Sequence, residues 1–410
     1  MAKREIWELH QMQALPLSLK VRLTQQRLRE WVNAYGEDGV YVSFSGGKDS
    51  TVLMTIAREM YPNIKGAFFD TGLEYPEIRD FVKTWDNIDW VRPKMTFRQV
   101  VEKYGYPMIS KEVSECVYGA RRYLAGVLKQ ASLDRQTDRQ TDRQTDAYLT
   151  LIGLTSSADG ASSQRLATAL AADPEKAIDN LRIQRLMGIN RLDGKATMET
   201  IPDKADRSAF SCTRYQFFLD APFEICNQCC MVMKKSPARV YKRETGRVPI
   251  TAQMASESRL RTQVWLKNGC NAFDAKKPVS NPMSFWTEQD VLQYIWQNRT
   301  PIATVYGEVV AETENGELEG QMSFRDLGGD WELFDNDRPL LKTTGCSRTG
   351  CMFCGFGCHL EKPGEGRFER MKITHPKQYE YIMKPKEEGG LGYKAVIDWI
   401  NEHGNMHIRY

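Results

Sequence analysis

The chain has 410 residues, with 56 Lys and Arg against 53 Asp and Glu, and a formal net charge of +3. This length holds one large or two ordinary domains, and so balanced a charge does not by itself indicate a nucleic-acid binder. No apolar run is long enough to span a membrane and the N-terminal MAKREIWELH lacks a signal-peptide core, so we expect a cytoplasmic protein without membrane contact, whose ten cysteines are metal ligands or reactive thiols.

The first sixty residues predict a helix, a buried strand and a glycine turn that opens a second helix. Apolar side chains at helical spacing indicate a leading helix packed on a sheet: Leu28, Trp31, Val32 and Tyr35. The apolar run that begins at Val40 indicates a buried strand ending at Ser45. The helix after the turn carries its apolar side chains on one side: Val52, Leu53, Ile56 and Met60.

Strand, glycine turn and helix together form a phosphate-binding layout at residues 45–51 (SGGKDST). Backbone N–H groups of such a turn form an anion nest, and the start of the helix adds the positive end of its dipole. Glycines permit close approach of a phosphate, while a lysine and hydroxyls supply charge and donors. The predicted binding residues are Ser45, Gly46, Gly47, Lys48, Asp49, Ser50 and Thr51. The spacing is not that of a Walker loop, and the alternative is a glycine turn with an exposed lysine.

Strands and helices alternate after this loop. Residues 64–70 and 88–91 are predicted strands, and helices are predicted from Pro76 and over residues 97–104. The alternation predicts an α/β fold with a doubly wound parallel sheet, whose ligands lie beyond the carboxyl ends of the strands. Asp70 falls at such an end, where it could meet a ribose hydroxyl or Mg²⁺; its alternative role is to cap the next helix.

Residues 115–215 are predicted to be a helical insertion or cap. Residues 134–146 read D-RQTD-RQTD-RQTD without one apolar side chain, which predicts a solvated loop or a helical extension. Irregular helical patterns cover residues 161–172 and 174–187.

The sequence after Phe223 contains cysteines and arginines in patterns that suggest binding sites. A first cysteine group contains Cys226, Cys229 and Cys230. Arg259 and Arg261 alternate near a predicted strand end and could clamp a sulfate or phosphate through bidentate hydrogen bonds; the alternative is plain surface solvation. Further on, Thr287 with Asp290 predicts a helix cap, and residues 308–333 predict an acidic hairpin with a turn at Asn315-Gly316.

The second cysteine group has the spacing Cys346-x4-Cys351-x2-Cys354-x3-Cys358. Thiolates are soft ligands, so two cysteine groups far apart along the chain suggest one metal site assembled from distant segments. A 4Fe–4S cluster, a tetrathiolate zinc site and a plant-type 2Fe–2S centre are all open on spacing. The remaining cysteines have no partner spacing and are predicted to be buried, inert thiols: Cys116, Cys212 and Cys270.

Four motifs in this order resemble a known family. SGGKDS resembles the pyrophosphate loop of the adenine-nucleotide alpha-hydrolase superfamily, which includes ATP pyrophosphatases, tRNA thiolases and sulfonucleotide reductases. The paired cysteines with the Lys and Pro that follow, the segment 252–261 (AQMASESRLR) and residues 282–306 resemble the iron–sulfur adenylyl-sulfate reductases, although Ala252 replaces a family glycine. The resemblance to this PAPS (phosphoadenosine phosphosulfate) reductase-like family spans residues 38–110 and 223–360. It implies nucleotide contacts from Glu257, Arg259 and Arg261 and a 4Fe–4S cluster on Cys229, Cys230, Cys351 and Cys354.

One departure bears on the reaction. The reductases carry a nucleophilic cysteine in a C-terminal tail, whereas no residue after Cys358 is a cysteine here, although Cys346 or Cys358 could substitute. We therefore expect ATP to be cleaved between its α- and β-phosphates, with adenylation of an acceptor in sulfur transfer, as in nucleic-acid thiolation or phosphorothioation. Lys48 would stabilise the departing pyrophosphate, and Asp49 or Asp70 would help to hold Mg²⁺.

Two alternatives to this function remain. The first is a PAPS or adenylyl-sulfate reductase that releases sulfite, and the second is a non-catalytic nucleotide- and cluster-binding subunit of a defence or modification complex. Expected partners are an adenine nucleotide and either a nucleic acid or a sulfur-donor or redox protein. The predicted divisions of the chain are N-terminal helices (1–36), nucleotide-binding core (37–114), insertion (115–215), core continuation (216–307) and an acidic hairpin with the cysteine-rich region (308–410).

Overall fold

The computed structural model describes residues 4–134, 163–173, 176–177, 179–188, 211–312 and 339–410. The RQTD repeat that follows Asp134 and the predicted Asn315-Gly316 turn lie outside the described residues. The described parts of the predicted insertion are helical where the sequence pattern predicts helices, at Gln164–Ala172 and Leu181–Met187.

The elements are numbered in chain order. The helices are α1 (Ile6–Gln13), α2 (Leu17–Tyr35), α3 (Lys48–Met60), α4 (Pro76–Lys83), α5 (Phe97–Tyr104), α6 (Lys111–Asp134), α7 (Gln164–Ala172), α8 (Leu181–Met187), α9 (Gln228–Cys230), α10 (Ser236–Thr245), α11 (Arg259–Asn268), α12 (Glu288–Asn298), α13 (Arg367–Thr374), α14 (Pro376–Met383) and α15 (Tyr393–Gly404). The strands are β1 (Val40–Ser43), β2 (Gly66–Phe69), β3 (Ile88–Val91), β4 (Met108–Ile109), β5 (Val248–Ile250), β6 (Asn271–Ala272), β7 (Val279–Ser280), β8 (Val309–Ala311), β9 (Leu341–Thr343) and β10 (Gly355–Phe356).

The chain divides into two compact units. The first unit is Met1–Lys94 with Met233–Met352, and the second is Met95–Val232 with Phe353–Tyr410. This division follows contacts between residues, whereas the sequence-based divisions after residues 36, 114, 215 and 307 follow composition and motifs.

A six-stranded sheet forms the centre of the first unit, in the order β3-β2-β1-β5-β7-β6. Its pairs are parallel except for the last, in which β6 runs antiparallel to β7. The predicted doubly wound α/β fold is therefore confirmed. The chain leaves β1 towards β2 on one side and reaches β5 on the other, so the strand order reverses between β1 and β5. Ligands of such sheets bind in the crevice at this switch point.

Apolar faces of the helices account for the core of this unit. Leu28 and Trp31 of α2 and Val52, Leu53 and Ile56 of α3 are fully buried, as the helical spacing predicts. Pro76 occupies the first turn of α4, where its missing N–H costs no hydrogen bond. The predicted end of the first strand at Ser45 is wrong by two residues, because the last residue in register with β2 is Ser43; the Phe44 amide makes the final hydrogen bond, to the Ala67 carbonyl at 3.0 Å.

The second unit is mainly helical. Helix α6 packs against α7, α8 and the 3-10 helix Thr213–Asp220. A two-stranded parallel ladder joins β4 to β10, and the Tyr106 hydroxyl donates a hydrogen bond to the Leu391 carbonyl at 2.7 Å. Among the helices that the structure describes, none is long and apolar enough to cross a membrane.

One buried ion pair ties α2 to α12 in the first unit. Lys20 is 2% exposed, and its Nζ lies 2.8 and 2.7 Å from the two carboxylate oxygens of Asp290. Asp290 also accepts the Thr287 amide at 2.7 Å, while its own amide donates to the Thr287 hydroxyl, so the predicted capping box is present. The same carboxylate therefore neutralises a buried cation and caps a helix.

We expect Asp290→Ala to lower the free energy of unfolding of this unit by about 3–5 kcal/mol, because it leaves the Lys20 ammonium buried without a counter-charge. Equilibrium denaturation measures the change. Asp80→Ala is the matched control, since Asp80 pairs with Lys83 on the surface with both side chains more than half exposed. That control should lose less than about 1 kcal/mol. Equal losses in the two variants would contradict this account of the pair.

Candidate functional site

The predicted phosphate loop follows β1 directly and is held by its own hydroxyls. The Ser45 amide donates to the Ser50 hydroxyl at 3.2 Å, and the Gly47 amide donates to the Ser45 hydroxyl at 3.3 Å. The hydroxyls of Ser50 and Thr51 donate to the Gly47 carbonyl at 2.9 and 3.0 Å. Ser50 and Thr51 are therefore placed to fix the loop, while Ser45 is the exposed hydroxyl of the set.

Gly46 determines how closely the loop packs on α4. Its φ of +69° lies in the left-handed region, which side chains other than glycine seldom adopt. A Cβ atom at this position would lie 2.7 Å from Cγ2 of Val82 and 2.9 Å from Cγ2 of Ile78. The loop thus needs glycine here for its backbone conformation and for the space beside α4.

Lys48, the first residue of α3, is buried rather than extended into solvent. Its side chain is 3% exposed, and its Nζ lies 3.0 Å from the Ser347 carbonyl, 3.0 Å from a Glu288 carboxylate oxygen and 3.6 Å from Oδ1 of Asp49. The alternative of a glycine turn with an exposed lysine is therefore wrong. A buried ammonium in this position is neutralised by the protein itself.

Residues 346–350, here called the covering segment, lie against the phosphate loop. Besides the contact of Ser347 with Lys48, the Thr349 and Tyr306 hydroxyls are hydrogen-bonded at 2.5 Å. The Tyr306 hydroxyl in turn accepts the backbone amide of Lys48 at 3.2 Å. The Cys346 amide fixes the start of the segment by donating to the Val305 carbonyl at 2.9 Å. Side chains distant in sequence thus surround the first turn of α3.

The carboxylates of Asp49, Glu257 and Glu288 lie close to one another beside the loop. Burial is the main cause that raises the pKa of Asp49; Lys48 and Arg348 oppose the rise, and the charges of Glu257 and Glu288 add to it. Oδ1 of Asp49 is buried and, among the described residues, has no hydrogen-bond partner. An unsatisfied carboxylate oxygen beside a phosphate loop fits a ligand of Mg²⁺, which typically takes one or two carboxylates and completes its shell with phosphates and water.

Asp70 is engaged within the fold. It is 3% exposed, its Oδ2 lies 3.0 Å from Arg79 and 3.5 Å from Arg92, and its Oδ1 accepts the Gly72 amide at 3.1 Å. The alternative role as a helix cap is wrong, because Tyr75 is the N-cap residue of α4. Asp70 therefore meets two arginines and a turn at the end of β2, and its contact with ribose or magnesium stays a prediction.

The predicted position of Arg259 and Arg261 near a strand end is wrong. Both lie in the first turn of α11, because the Ser258 hydroxyl accepts the Arg261 amide as an N-cap and so starts a helix at Arg259. Arg261 is paired with Glu257, and Glu257 also contacts Arg348 of the covering segment at 3.0 Å. Arg259 is exposed. Of the three residues, Glu257 has the closest connection to the loop.

A cavity of about 410 Å³ adjoins the loop within the first unit. Its lining includes Ser45 of the loop, Thr349 and Gly350 of the covering segment, and Thr251 after β5, together with Lys234 and Lys235. Because it is lined from the ends of both β1 and β5, it lies at the switch point of the sheet. Its volume is in the range that small-molecule sites occupy.

Three of the four predicted cluster ligands lie in the second unit. The thiol of Cys229 is hydrogen-bonded to Cys230, and this contact, burial and the charges of Cys230 and Cys354 raise its pKa. Burial raises the pKa of Cys354, whose carbonyl accepts a hydrogen bond from Arg367 at 2.7 Å. The fourth predicted ligand, Cys351, lies in the first unit, three residues before Cys354 along the chain.

The other clustered cysteines differ in environment. Burial raises the pKa of Cys226 to about 11 and that of Cys358 to about 12. The Cys358 thiol also donates to the Gly355 carbonyl at 2.8 Å, whereas Cys346 is only partly buried. Among the described residues, no three His, Cys, Asp or Glu side chains are placed to hold a metal ion together. Cysteine thiolates are the usual ligands of iron–sulfur clusters, so these donors suit a cluster chemically. The described side chains do not, however, converge on one metal ion.

The backbone after the cysteine pair is unusual. Helix α9 ends at Cys230 and passes directly into a π-helix, Met231–Lys235, before α10 begins. A π-helical turn is rare, and such turns are frequent at functional sites. The sequence patterns did not predict this turn, and they did not predict the following neighbours of the loop: Glu288, Tyr306, Ser347, Arg348 and Thr349. The one available signal was that Ser347, Arg348 and Thr349 lie between two cysteines of the second group, in GCSRTGC.

Known proteins are similar to this chain in the region that contains the phosphate loop. Residues 39–118 match the family model of the phosphoadenosine phosphosulfate reductase domain. An uncharacterized protein of Methanocaldococcus jannaschii is 37% identical over 73 residues, which cover 17% of this chain and 18% of that protein. The match thus spans less than a fifth of that relative's length. The domain supports a nucleotide-binding function related to sulfonucleotides, on the fold described above.

We expect Gly46→Ala to abolish measurable nucleotide binding, because the added methyl group would displace the loop from α4. Calorimetric titration with ATP and circular dichroism measure binding and folding. Gly36→Ala is the matched control: Gly36 has a similar φ of +78° at the end of α2, and an added Cβ would meet no atom within 4 Å. It should cost about 1 kcal/mol of stability and leave binding intact. Full binding by a folded Gly46→Ala protein would contradict the assignment.

Proposed function

We propose that this chain, whose residues 39–118 match the family model of the phosphoadenosine phosphosulfate reductase domain, binds Mg·ATP at the phosphate loop and cleaves it between the α- and β-phosphates. The adenylyl group would pass to an acceptor during sulfur transfer. The observation that carries the proposal is the buried Lys48 at the first turn of α3, beside Asp49 with its unsatisfied buried oxygen.

The loop supplies the charge that a departing pyrophosphate needs. Backbone N–H groups at the start of α3 point towards an anion in this layout, and the helix dipole adds to them. Lys48 would exchange the Ser347 carbonyl and Glu288 for phosphate oxygens, which are stronger partners for an ammonium group. Donors that are fixed before the reaction stabilise charge developing on the leaving group.

The carboxylates favour a magnesium nucleotide over a metal-free sulfonucleotide. Asp49, Glu257 and Glu288 lie near the loop and would repel a bare anion. A divalent cation removes this repulsion and bridges the carboxylate to the phosphates. Asp49 is the residue that would hold Mg²⁺, with Asp70 as the second candidate, and the metal would neutralise charge on the phosphates.

The acceptor and the sulfur donor would be partner molecules. Lys234 and Lys235 line the cavity, so a phosphate-bearing acceptor such as a nucleic acid would find positive charge there. A sulfur-donor or redox protein is the partner that the transfer step requires.

We expect wild-type protein with Mg·ATP to release pyrophosphate and AMP slowly when water is the acceptor, and Lys48→Ala to lower this rate about 10²–10³-fold, the usual cost of removing one charge-stabilising donor. Chromatography of labelled ATP separates AMP from ADP. Lys65→Ala is the control, because Lys65 pairs with Asp89 away from the loop and should leave the rate unchanged. Release of ADP, or equal rates in wild type and Lys48→Ala, would contradict the proposal.

A second candidate, sulfite release from a sulfonucleotide, is favoured by one observation. Cys346 precedes Ser347, whose carbonyl contacts Lys48, and it is partly accessible, whereas the Cys358 thiol is buried and bonded to a carbonyl. Cys346 is thus the thiol of choice for attack on a bound sulfonucleotide. Sulfite formation that disappears in Cys346→Ser would establish the reductase, and nucleotide binding without any product would indicate a non-catalytic subunit.

We also propose a 4Fe–4S cluster on Cys229, Cys230, Cys354 and Cys351. The hydrogen bond between the Cys229 and Cys230 thiols, the charge interaction of both with Cys354, the π-helical turn after Cys230 and the Cys-x2-Cys spacing of Cys351 and Cys354 support this set. When bound, such a cluster would supply redox-active iron. Zinc is the alternative metal for the same thiolates.

Anaerobically purified wild-type protein should contain about four iron and four sulfide per chain, as a 4Fe–4S cluster requires. Cys354→Ala should lose most of both, because it removes a ligand. Cys270→Ala is the matched control: this thiol is also buried, but it accepts a hydrogen bond from Ser284 in the first unit. Stoichiometric zinc without iron, or unchanged iron in Cys354→Ala, would contradict the proposed cluster.

A further inference from the structure

Cys116 and Cys212 form a pair that the sequence does not predict. Both are buried, with exposures of 2% and 3%, as the interpretation as inert thiols requires. That interpretation used sequence spacing alone, which does not reveal that the two thiols are hydrogen-bonded to each other. Both cysteines belong to the second unit and lie outside the set proposed to hold a cluster.

Helix α8 places the two sulfurs together. The Cys116 thiol, on α6, also contacts the Arg182 carbonyl of α8 at 3.4 Å. The Cys212 amide donates to the Arg185 carbonyl, one turn further along α8, at 2.8 Å. The Arg185 side chain in turn pairs with Glu112 of α6, one turn before Cys116. Three segments therefore converge on this thiol pair.

The groups around the pair shift the pKa values of the two thiols in opposite directions. The hydrogen bond from Cys116 lowers the pKa of Cys212, and Arg185 lowers it further, against the effects of burial and Glu112. The pKa of Cys116 is raised by the same hydrogen bond and by burial. A thiolate is the nucleophilic form of cysteine, so Cys212 is the attacking sulfur and Cys116 the resolving one.

We propose that Cys116 and Cys212 are a redox-active dithiol that hydrogen peroxide oxidises to a disulfide. The Cys212 thiolate attacks one peroxide oxygen; the O–O bond breaks, and the leaving hydroxide takes up a proton to become water. The Cys116 sulfur then attacks the sulfur of the resulting sulfenic acid, the S–O bond breaks, and the hydroxyl leaves as water with the Cys116 proton. The two sulfurs lose two electrons, and the peroxide is reduced to two waters.

The disulfide would have a defined effect on the chain. It would join α6 to the segment before the 3-10 helix Thr213–Asp220 and close a loop that contains residues 117–211. These residues include nearly all of the predicted insertion. Cross-linking the ends of a long loop restricts the unfolded chain and thereby stabilises the folded one. Peroxide would thus stabilise the second unit, and a thiol reductant would reverse the effect.

The direct test is peptide mapping of the full chain after treatment with hydrogen peroxide. Free thiols are alkylated, the protein is digested without reductant, and mass spectrometry searches for the peptide pair that joins Cys116 to Cys212. We expect this pair in wild type, its disappearance after dithiothreitol, and a higher melting temperature of the oxidised protein. Both should occur unchanged in Cys270→Ser, in which a buried thiol outside the pair is replaced.

Cys116→Ser and Cys212→Ser should yield no such peptide pair and no stabilisation by peroxide. Peptide mapping of the wild-type protein needs no variant, so it shows whether the Cys116–Cys212 disulfide forms even if one variant fails to fold. If both thiols of wild type are still alkylated after peroxide has consumed the partly exposed Cys346, the proposal is wrong. Oxidation of either cysteine to a sulfinic or sulfonic acid without a cross-link would overturn it equally.

Discussion

The burial of the Lys48 ammonium at the start of α3 is the constraint on which the site depends. An ammonium that is 3% exposed needs partners, and they come from regions far apart in sequence: Glu288 at the start of α12 and the Ser347 carbonyl. Tyr306 adds a link, because its hydroxyl joins the Lys48 amide to Thr349. Since these partners hold the covering segment against the loop, a phosphate that draws Lys48 away would release Ser347 at the same time. If the proposed nucleotide binds here, it would therefore also displace the segment that precedes Cys351 along the chain.

The sheet explains why these groups meet at this place. Parallel strands bring their carboxyl ends to one edge, and the reversal of strand order between β1 and β5 leaves a crevice there. The cavity beside Ser45 occupies this crevice, and the loop after β1 presents the first turn of α3 to it. Buried ion pairs such as Lys20 with Asp290 fix the surrounding helices, so the carboxylates of α12 stay close to the loop. The fold thus positions the carboxylates, and the covering segment contributes the Ser347 carbonyl that contacts Lys48.

Local patterns in the sequence predict the local structure well. The strand Ile88–Val91 and the helix Phe97–Tyr104 have the predicted bounds, because their apolar periodicity and turn residues agree. The error at Arg259 and Arg261 arose because their alternation favoured a strand, whereas the capping hydroxyl of Ser258 starts a helix. The contact of Lys48 with Ser347, and the pairing of Cys116 with Cys212, could not be predicted, since both join residues that no spacing rule connects. The position of the loop was therefore predictable, and the partners that neutralise Lys48 were not; the chemistry of the loop stays a prediction.

In the proposed complex, ATP replaces these protein partners of Lys48. A crystal structure with Mg²⁺ and α,β-methylene-ATP, which cannot be cleaved between those phosphates, tests it most directly. We expect β- and γ-phosphates at the amides of residues 46–49, the metal on Asp49, and Lys48 Nζ moved from the Ser347 carbonyl to phosphate oxygens. A nucleotide bound elsewhere, with Lys48 still on Ser347 and Glu288, would contradict it.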